Sequence, residues 1–178
     1  TLVEAQAAPP SNENRAVNST SEVDPEAQWT HRPGGNVFGY KAHIAMDWKS
    51  GLIRRAILTP ANVNETSVAD ALICGDEQMV YADKAYDSRA RRERLAEMGI
   101  GDGIMRRGNK HHPELPADQE ARNTSLGRIR GRVESIFGTL KRSYGYTRVR
   151  YFSLERNATQ LSLLAIAMNL RRALVLTT

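Results

Sequence analysis

Hydrophobic residues gather first in two neighbouring runs, 37–46 and 52–58, each containing β-branched or aromatic side chains. The five residues between them, Asp47-Trp48-Lys49-Ser50-Gly51, are turn formers, so the pair predicts an antiparallel hairpin. Asn64 or Thr66 can cap a short helix that runs to about Ile73 and closes at Gly75. The apolar run 79–82 predicts a short strand; Asp87 or Ser88 then caps a helix to Met98, and a second short strand comes after Gly99, at 103–105. Strand, helix and strand in that order predict a parallel pair. Residues 107–124 carry two prolines, two adjacent histidines and no period, the pattern of a loop or lid. A strong helix is predicted from about Leu126 to Ser143, with Val133, Ile136, Phe137 and Leu140 as its apolar stripe. A last helix, about 154–173, carries Leu161, Leu164, Ala165, Met168 and Leu170 on a broad face that reads as core packing. Ahead of all this, residues 1–31 are polar and aperiodic, apart from an opening that resembles the tail of a strand. The whole is an α/β pattern, a mixed sheet with flanking helices.

A chain of 178 residues is long enough for one core and short for two, so one core is expected behind the polar N-terminal segment. No apolar stretch approaches the roughly 20 residues that cross a bilayer, and no signal segment opens the chain, which predicts a cytoplasmic protein with no membrane partner. The single cysteine, Cys74, cannot form an internal disulfide and reads as a buried structural thiol. Charge changes the picture more than composition does. Residues 1–80 hold 6 Lys+Arg against 10 Asp+Glu, whereas residues 81–178 hold 19 against 10, so a polyanion would sit on the second half. The excess there is clustered arginine, as at Arg89, Arg91, Arg92 and Arg94, at Arg106 and Arg107, and at Arg128, Arg130 and Arg132. Arginine's planar fork suits phosphate, which favours a nucleic-acid partner over a merely solvated surface.

Two carboxylates stand where chemistry is feasible. Asp83 comes directly after the run 79–82, at the carboxyl end of what reads as a buried strand, where open α/β sheets place their ligand sites. The competing reading is a turn or capping aspartate, a job for which Asp87 and Ser88 are better placed. Glu134 falls at the edge of its helix's apolar stripe, with Arg130 four residues before and Lys141 seven after on the same side. Spacing alone favours a surface ion-pair ladder there. Two carboxylates from distant segments can still hold magnesium through oxygen, and a third is wanted where two metals bridge a reacting phosphate. His111 and His112 read as solvated, and His43 as packing inside its strand.

Six pieces of the chain, in order, are familiar: Asp24-Pro25-Glu26-Ala27-Gln28-Trp29, Phe38-Gly39-Tyr40-Lys41-Ala42-His43-Ile44, Leu58-Thr59-Pro60-Ala61-Asn62-Val63, Val80-Tyr81-Ala82-Asp83-Lys84-Ala85-Tyr86-Asp87, Arg132-Val133-Glu134-Ser135-Ile136-Phe137-Gly138 and Asn169-Leu170-Arg171-Arg172. Together they resemble the catalytic domain of the DDE-class transposases of bacterial insertion sequences, in the family named after insertion sequence five. The resemblance implies a ribonuclease H-like mixed sheet in which Asp83 is the second catalytic aspartate and Glu134 the catalytic glutamate. These two would be the metal ligands for Mg2+ or Mn2+, two ions in the intact enzyme. Arg130 and Lys141 fit the arginine and lysine positions of the glutamate motif, while its tyrosine position holds Gly127. Lys84 and Arg142 join Arg130 and Lys141 as DNA-binding candidates. Residues 1–31 become a polar segment with the end of the first strand, and 32–178 the catalytic domain. The family's first aspartate lies on the central first strand, and Thr1-Leu2-Val3 resembles the residues immediately after it. That aspartate is therefore expected one or two positions before Thr1, with most of that strand missing. Asp47 is the rival, disfavoured because turns favour aspartate for local hydrogen bonding. The implied activity is metal-dependent phosphodiester cleavage and strand transfer in DNA transposition. The implied partners are double-stranded DNA, at the element ends and the target, and further copies of the chain assembled on it. With two carboxylates of three, the chain alone is expected to be catalytically silent, and a truncated DNA-binding remnant is the alternative.

Overall fold

The longest strand, β3 (Gly35–Met46), organises the first sheet of the computed structural model, which describes residues 2–4, 21–108 and 114–178. Strands β1 (Leu2–Glu4), β2 (Gln28–Arg32) and β4 (Ile53–Pro60) all run antiparallel to it. The predicted hairpin is β3 and β4, with His43 opposite Ile57 and a turn closed by the Gly51 N–H on the Asp47 carbonyl at 2.9 Å. Strand β2 departs from the sequence reading, in which residues 21–31 are loop. It pairs Trp29 with Phe38 through a two-residue turn, Pro33-Gly34, in which Gly34 takes φ +99° as a type II turn requires. Asp24 and Ala27, in the same segment, are fully buried.

The chain falls into two compact units, residues 1–64 with 136–178, and residues 65–135. In the first, α4 (Leu154–Thr177) contributes Leu161 and Ala165 to a core that includes Tyr40, Ile44, Leu58, Ile136, Leu140 and Val149. Leu170, expected on that face, is 65% exposed. Its neighbours explain why. The Asn169 amide accepts the Ile53 N–H at 2.7 Å and donates to the Ile53 carbonyl at 2.8 Å, and Arg172 Nε donates to the Ser50 carbonyl at 2.6 Å. These polar anchors turn Leu170 outward, where it extends an exposed stripe with Leu163, Ile166 and Leu174. At its other end α4 is capped from far away in sequence. Asp24 Oδ1 accepts the Ser153 N–H, and Glu26 Oε2 accepts the Leu154 N–H.

The second unit holds α1 (Glu65–Leu72), β5 (Met79–Ala82), α2 (Arg89–Glu97), β6 (Gly101–Ile104) and the first part of α3 (Ala117–Ser143). As predicted, β5 and β6 are parallel, but they form a two-stranded sheet of their own, so the expected mixed sheet is divided in two. The expected single core is divided likewise, with Leu95, Ile100 and Ile104 at the centre of this unit's cluster. Strand β5 is not buried on both faces. Val80 and Ala82 pack inward while Met79 and Tyr81 are exposed, because their side of the pair meets only Gly101 and Gly103. The fit there is close: a Cβ on Gly103 would lie 2.8 Å from the Val80 carbonyl oxygen and 2.6 Å from the Tyr81 ring. Helix α3 begins nine residues ahead of the predicted start at Leu126, with the Gln119 and Glu120 N–H groups on the Pro116 carbonyl. Its first turns are held by polar bonds to the end of β6 and not by an apolar stripe, so periodicity could not reveal them. Arg122 donates to the Ile104 and Asp102 carbonyls, and Asn123 exchanges two hydrogen bonds with the Arg106 backbone. Cys74, expected to be buried, is only partly so. Among the described residues, no helix is long and apolar enough to cross a membrane.

Candidate active site at the end of β5

Four apolar-to-neutral residues make β5, and the chain then leaves the strand at Asp83, so the carboxylate stands at the carboxyl end of the parallel pair. Asp83 also caps. Its Oδ1 accepts the Lys84 N–H at 2.6 Å and opens a single 3-10 turn, Lys84–Tyr86. Sequence assigns the cap of the helix ending near Met98 to Asp87 or Ser88 and Ser88 takes it, while Asp83, for which capping was the disfavoured reading, caps the turn before it. Ser88 occupies the N-cap of α2 with no side-chain bond, and the Asp87 carboxylate is engaged elsewhere, with the Arg92 guanidinium and the Arg107 N–H.

The turn after Asp83 is fixed by Arg91, which the sequence placed in a cluster suited to phosphate and which the fold instead turns inward. Arg91 is 7% exposed and donates three hydrogen bonds, to Asp70 Oδ1 at 2.7 Å, to the Tyr86 carbonyl at 2.6 Å and to the Thr66 carbonyl at 2.6 Å. It thereby ties α1 to the 3-10 turn. Tyr86 reports the charge nearby. Burial, then the negative fields of Glu65 and Asp83, pushes its phenol up to about 12. Glu65, in the first turn of α1, is near enough for its charge to act on the Tyr86 phenol.

The other predicted residues are spread along α3 and beyond. Glu134 is exposed on α3 and belongs, like Asp83 and Lys84, to the second unit. It lies eleven residues beyond the Asn123 anchor, about 16 Å along the helix. Arg130 is on the same helix, and its side chain lies outside the described residues. Lys141 and Arg142 are exposed and fall in the first unit, as does Asp47. The Asp47 carboxylate accepts both the Ser50 N–H and the Ser50 hydroxyl at 2.6 Å, bonds that hold its pKa below the usual value and serve its own turn. His43 packs as expected, 4% exposed and bonded to Thr59 Oγ1 at 3.0 Å. His111 and His112 lie outside the described residues. Among the described residues, three close metal-ligand types occur together at Cys74, Asp76 and Glu77, away from the predicted pair.

A carboxylate at a parallel strand's end, rimmed by arginines, is the setting in which comparison with known proteins decides the family. The transposase DDE domain matches residues 6–170. The chain belongs to the transposase DDE domain family. The DDE match takes in every described element from β2 through α3 and most of α4. Over 157 residues the chain is 38% identical to the transposase for insertion sequence element IS1106 of Neisseria meningitidis serogroup B. That alignment covers 87% of this chain and 54% of the relative, so this DDE chain spans about half the relative's length. No solved structure matches it.

Proposed function

We propose that the chain is the catalytic domain of a DNA transposase, with a ribonuclease H-like arrangement, in which Asp83 and Glu134 serve metal-dependent cleavage and strand transfer. The observation that carries the reading is the position of Asp83 at the end of a parallel strand, in a chain that the transposase DDE domain matches over residues 6–170. Carboxylate oxygens are the hard donors that Mg2+ or Mn2+ prefers, so Asp83 and Glu134 suit such ions. Two bound ions would supply a nucleophilic water and stabilise the attacking and leaving oxygens. The chain's own contribution is to hold Asp83 on a turn braced by Arg91, and to present Glu134 from a helix bonded to the end of β6. Lys84, Arg130, Lys141 and Arg142 would grip the backbone of double-stranded DNA at the element ends and the target, with several copies of the chain assembled there.

The test is a supercoiled-plasmid nicking assay on the full-length protein with Mg2+ or Mn2+, beside a gel-shift assay without metal. Asp83→Ala and Glu134→Ala should each lower nicking by at least 100-fold, in line with the roughly 10²-fold or larger losses seen when one charge-stabilising group is removed. DNA retention should stay within about threefold. Nicking that survives both substitutions sinks the assignment, and retention without nicking in the unaltered protein identifies a DNA-binding remnant.

A further inference from the structure

Seven basic side chains lie between positions 84 and 107, and five of them are paired with carboxylates within the fold. Arg89 pairs with Glu93, Arg91 and Arg94 with Asp70, Arg92 with Asp87, and Arg106 with Asp102 and Asp87. The two left without a carboxylate partner among the described residues are Lys84 and Arg107. Both lie at the end of the parallel pair where Asp83 stands. Lys84 is the next residue after Asp83. Arg107 comes off the neighbouring strand: Ala82 pairs with Ile104, and the Met105 N–H continues the ladder onto the Ala82 carbonyl at 3.0 Å. The backbone presenting Arg107 is pinned on both sides. The Arg106 N–H bonds to Asn123 Oδ1 at 2.8 Å, and the Arg107 N–H bonds to Asp87 Oδ2 at 3.0 Å. Asp87 closes the same 3-10 turn that Asp83 opens. Arg107 is thus an exposed guanidinium on a fixed stem, set at the same end of the sheet as the proposed reacting carboxylate.

We propose that Arg107 binds a phosphodiester of the DNA strand that lies along the Asp83 end of the parallel pair, its partner cation there being Lys84. The proposal rests on the transposase reading of this site. A guanidinium offers two parallel N–H donors to phosphate oxygens, which fixes orientation as well as contributing charge. Arginines already paired inside the fold would have to give up a carboxylate to do the same, so they serve as internal controls.

The experiment measures binding of a fluorescein-labelled 25-base-pair duplex to the full-length protein by anisotropy, in EDTA, across 50–200 mM NaCl. Arg107→Ala should lower the slope of log K against log salt by about one unit, the share of one phosphate contact. Arg107→Lys should keep the slope while weakening affinity a few-fold. Arg89→Ala, which removes a side chain that is 87% exposed but paired with Glu93, should leave the slope unchanged. An unchanged slope in Arg107→Ala, or an equal fall in Arg89→Ala, overturns the proposal. Complete absence of DNA binding by the unaltered protein defeats the transposase reading itself, and the metal-free buffer keeps either result independent of cleavage.

Discussion

Two buried side chains carry consequences that belong to single residues. His43 is enclosed by β-sheet neighbours, and burial lowers its imidazole from 6.5 to about 4. The unfolded chain takes up a proton near 6.5 and the native chain only near 4, so His43's contribution to stability is full above 6.5 and is lost as pH falls through that window. Urea midpoints measured at pH 7 and pH 4.5 should differ more in the wild type than in His43→Gln, whose replacement does not titrate. Equal differences would mean that other groups dominate the acid limb. Arg91 works differently, since its removal leaves the Asp70 carboxylate and two backbone carbonyls without their donor. Arg91→Met should lower stability by about 3 kcal/mol in urea unfolding, at the low end for a broken pair because Asp70 is 39% exposed. A cost below about 1 kcal/mol would show that water replaces the guanidinium well.

At the scale of elements, the legible parts are those that burial writes into sequence. The hairpin of β3 and β4 and the second half of α3 show apolar residues at the right period, and Ile136 and Leu140 are indeed buried. Elements held by polar contacts leave no such period. The start of α3 reads as a loop because Arg122 and Asn123, not apolar residues, fasten it to β6. Strand β2 did have a signal, the Pro33-Gly34 turn, but the strand ahead of it is only five residues long and too short to show a period. The polar attachment of α3 makes its own prediction. Asn123→Ala removes both bonds to the Arg106 backbone, and amide exchange across residues 117–125 should quicken by roughly tenfold or more, as expected for about 1–2 kcal/mol. Thr124→Ala, whose hydroxyl bonds only to the Glu120 carbonyl of its own helix, should leave exchange nearly unchanged. If the two substitutions behave alike, the attachment is not what holds the first turns.

For the molecule as a whole, composition indicated one core, whereas the described residues form two clusters, one in a four-stranded sheet with α4 and one in a small parallel pair with its helices. The candidate site was legible at Asp83 because a carboxylate directly after a short apolar run is a local feature. Arg91 and Arg107 were legible only as members of basic clusters suited to phosphate, because which arginine is tied inside the fold depends on groups brought together by folding, such as the Arg91 bond to Thr66 twenty-five positions away. One close contact in that small sheet also bears on how the lineage can change. At position 103 nothing larger than hydrogen fits without displacing the Val80 carbonyl and the Tyr81 ring, whereas at 101 the closest atom is the movable end of the Met79 side chain. A side chain at 103 could be accommodated only by shifting β5 itself, so tolerance to substitution should stop at that position and resume on the exposed helix faces around the site.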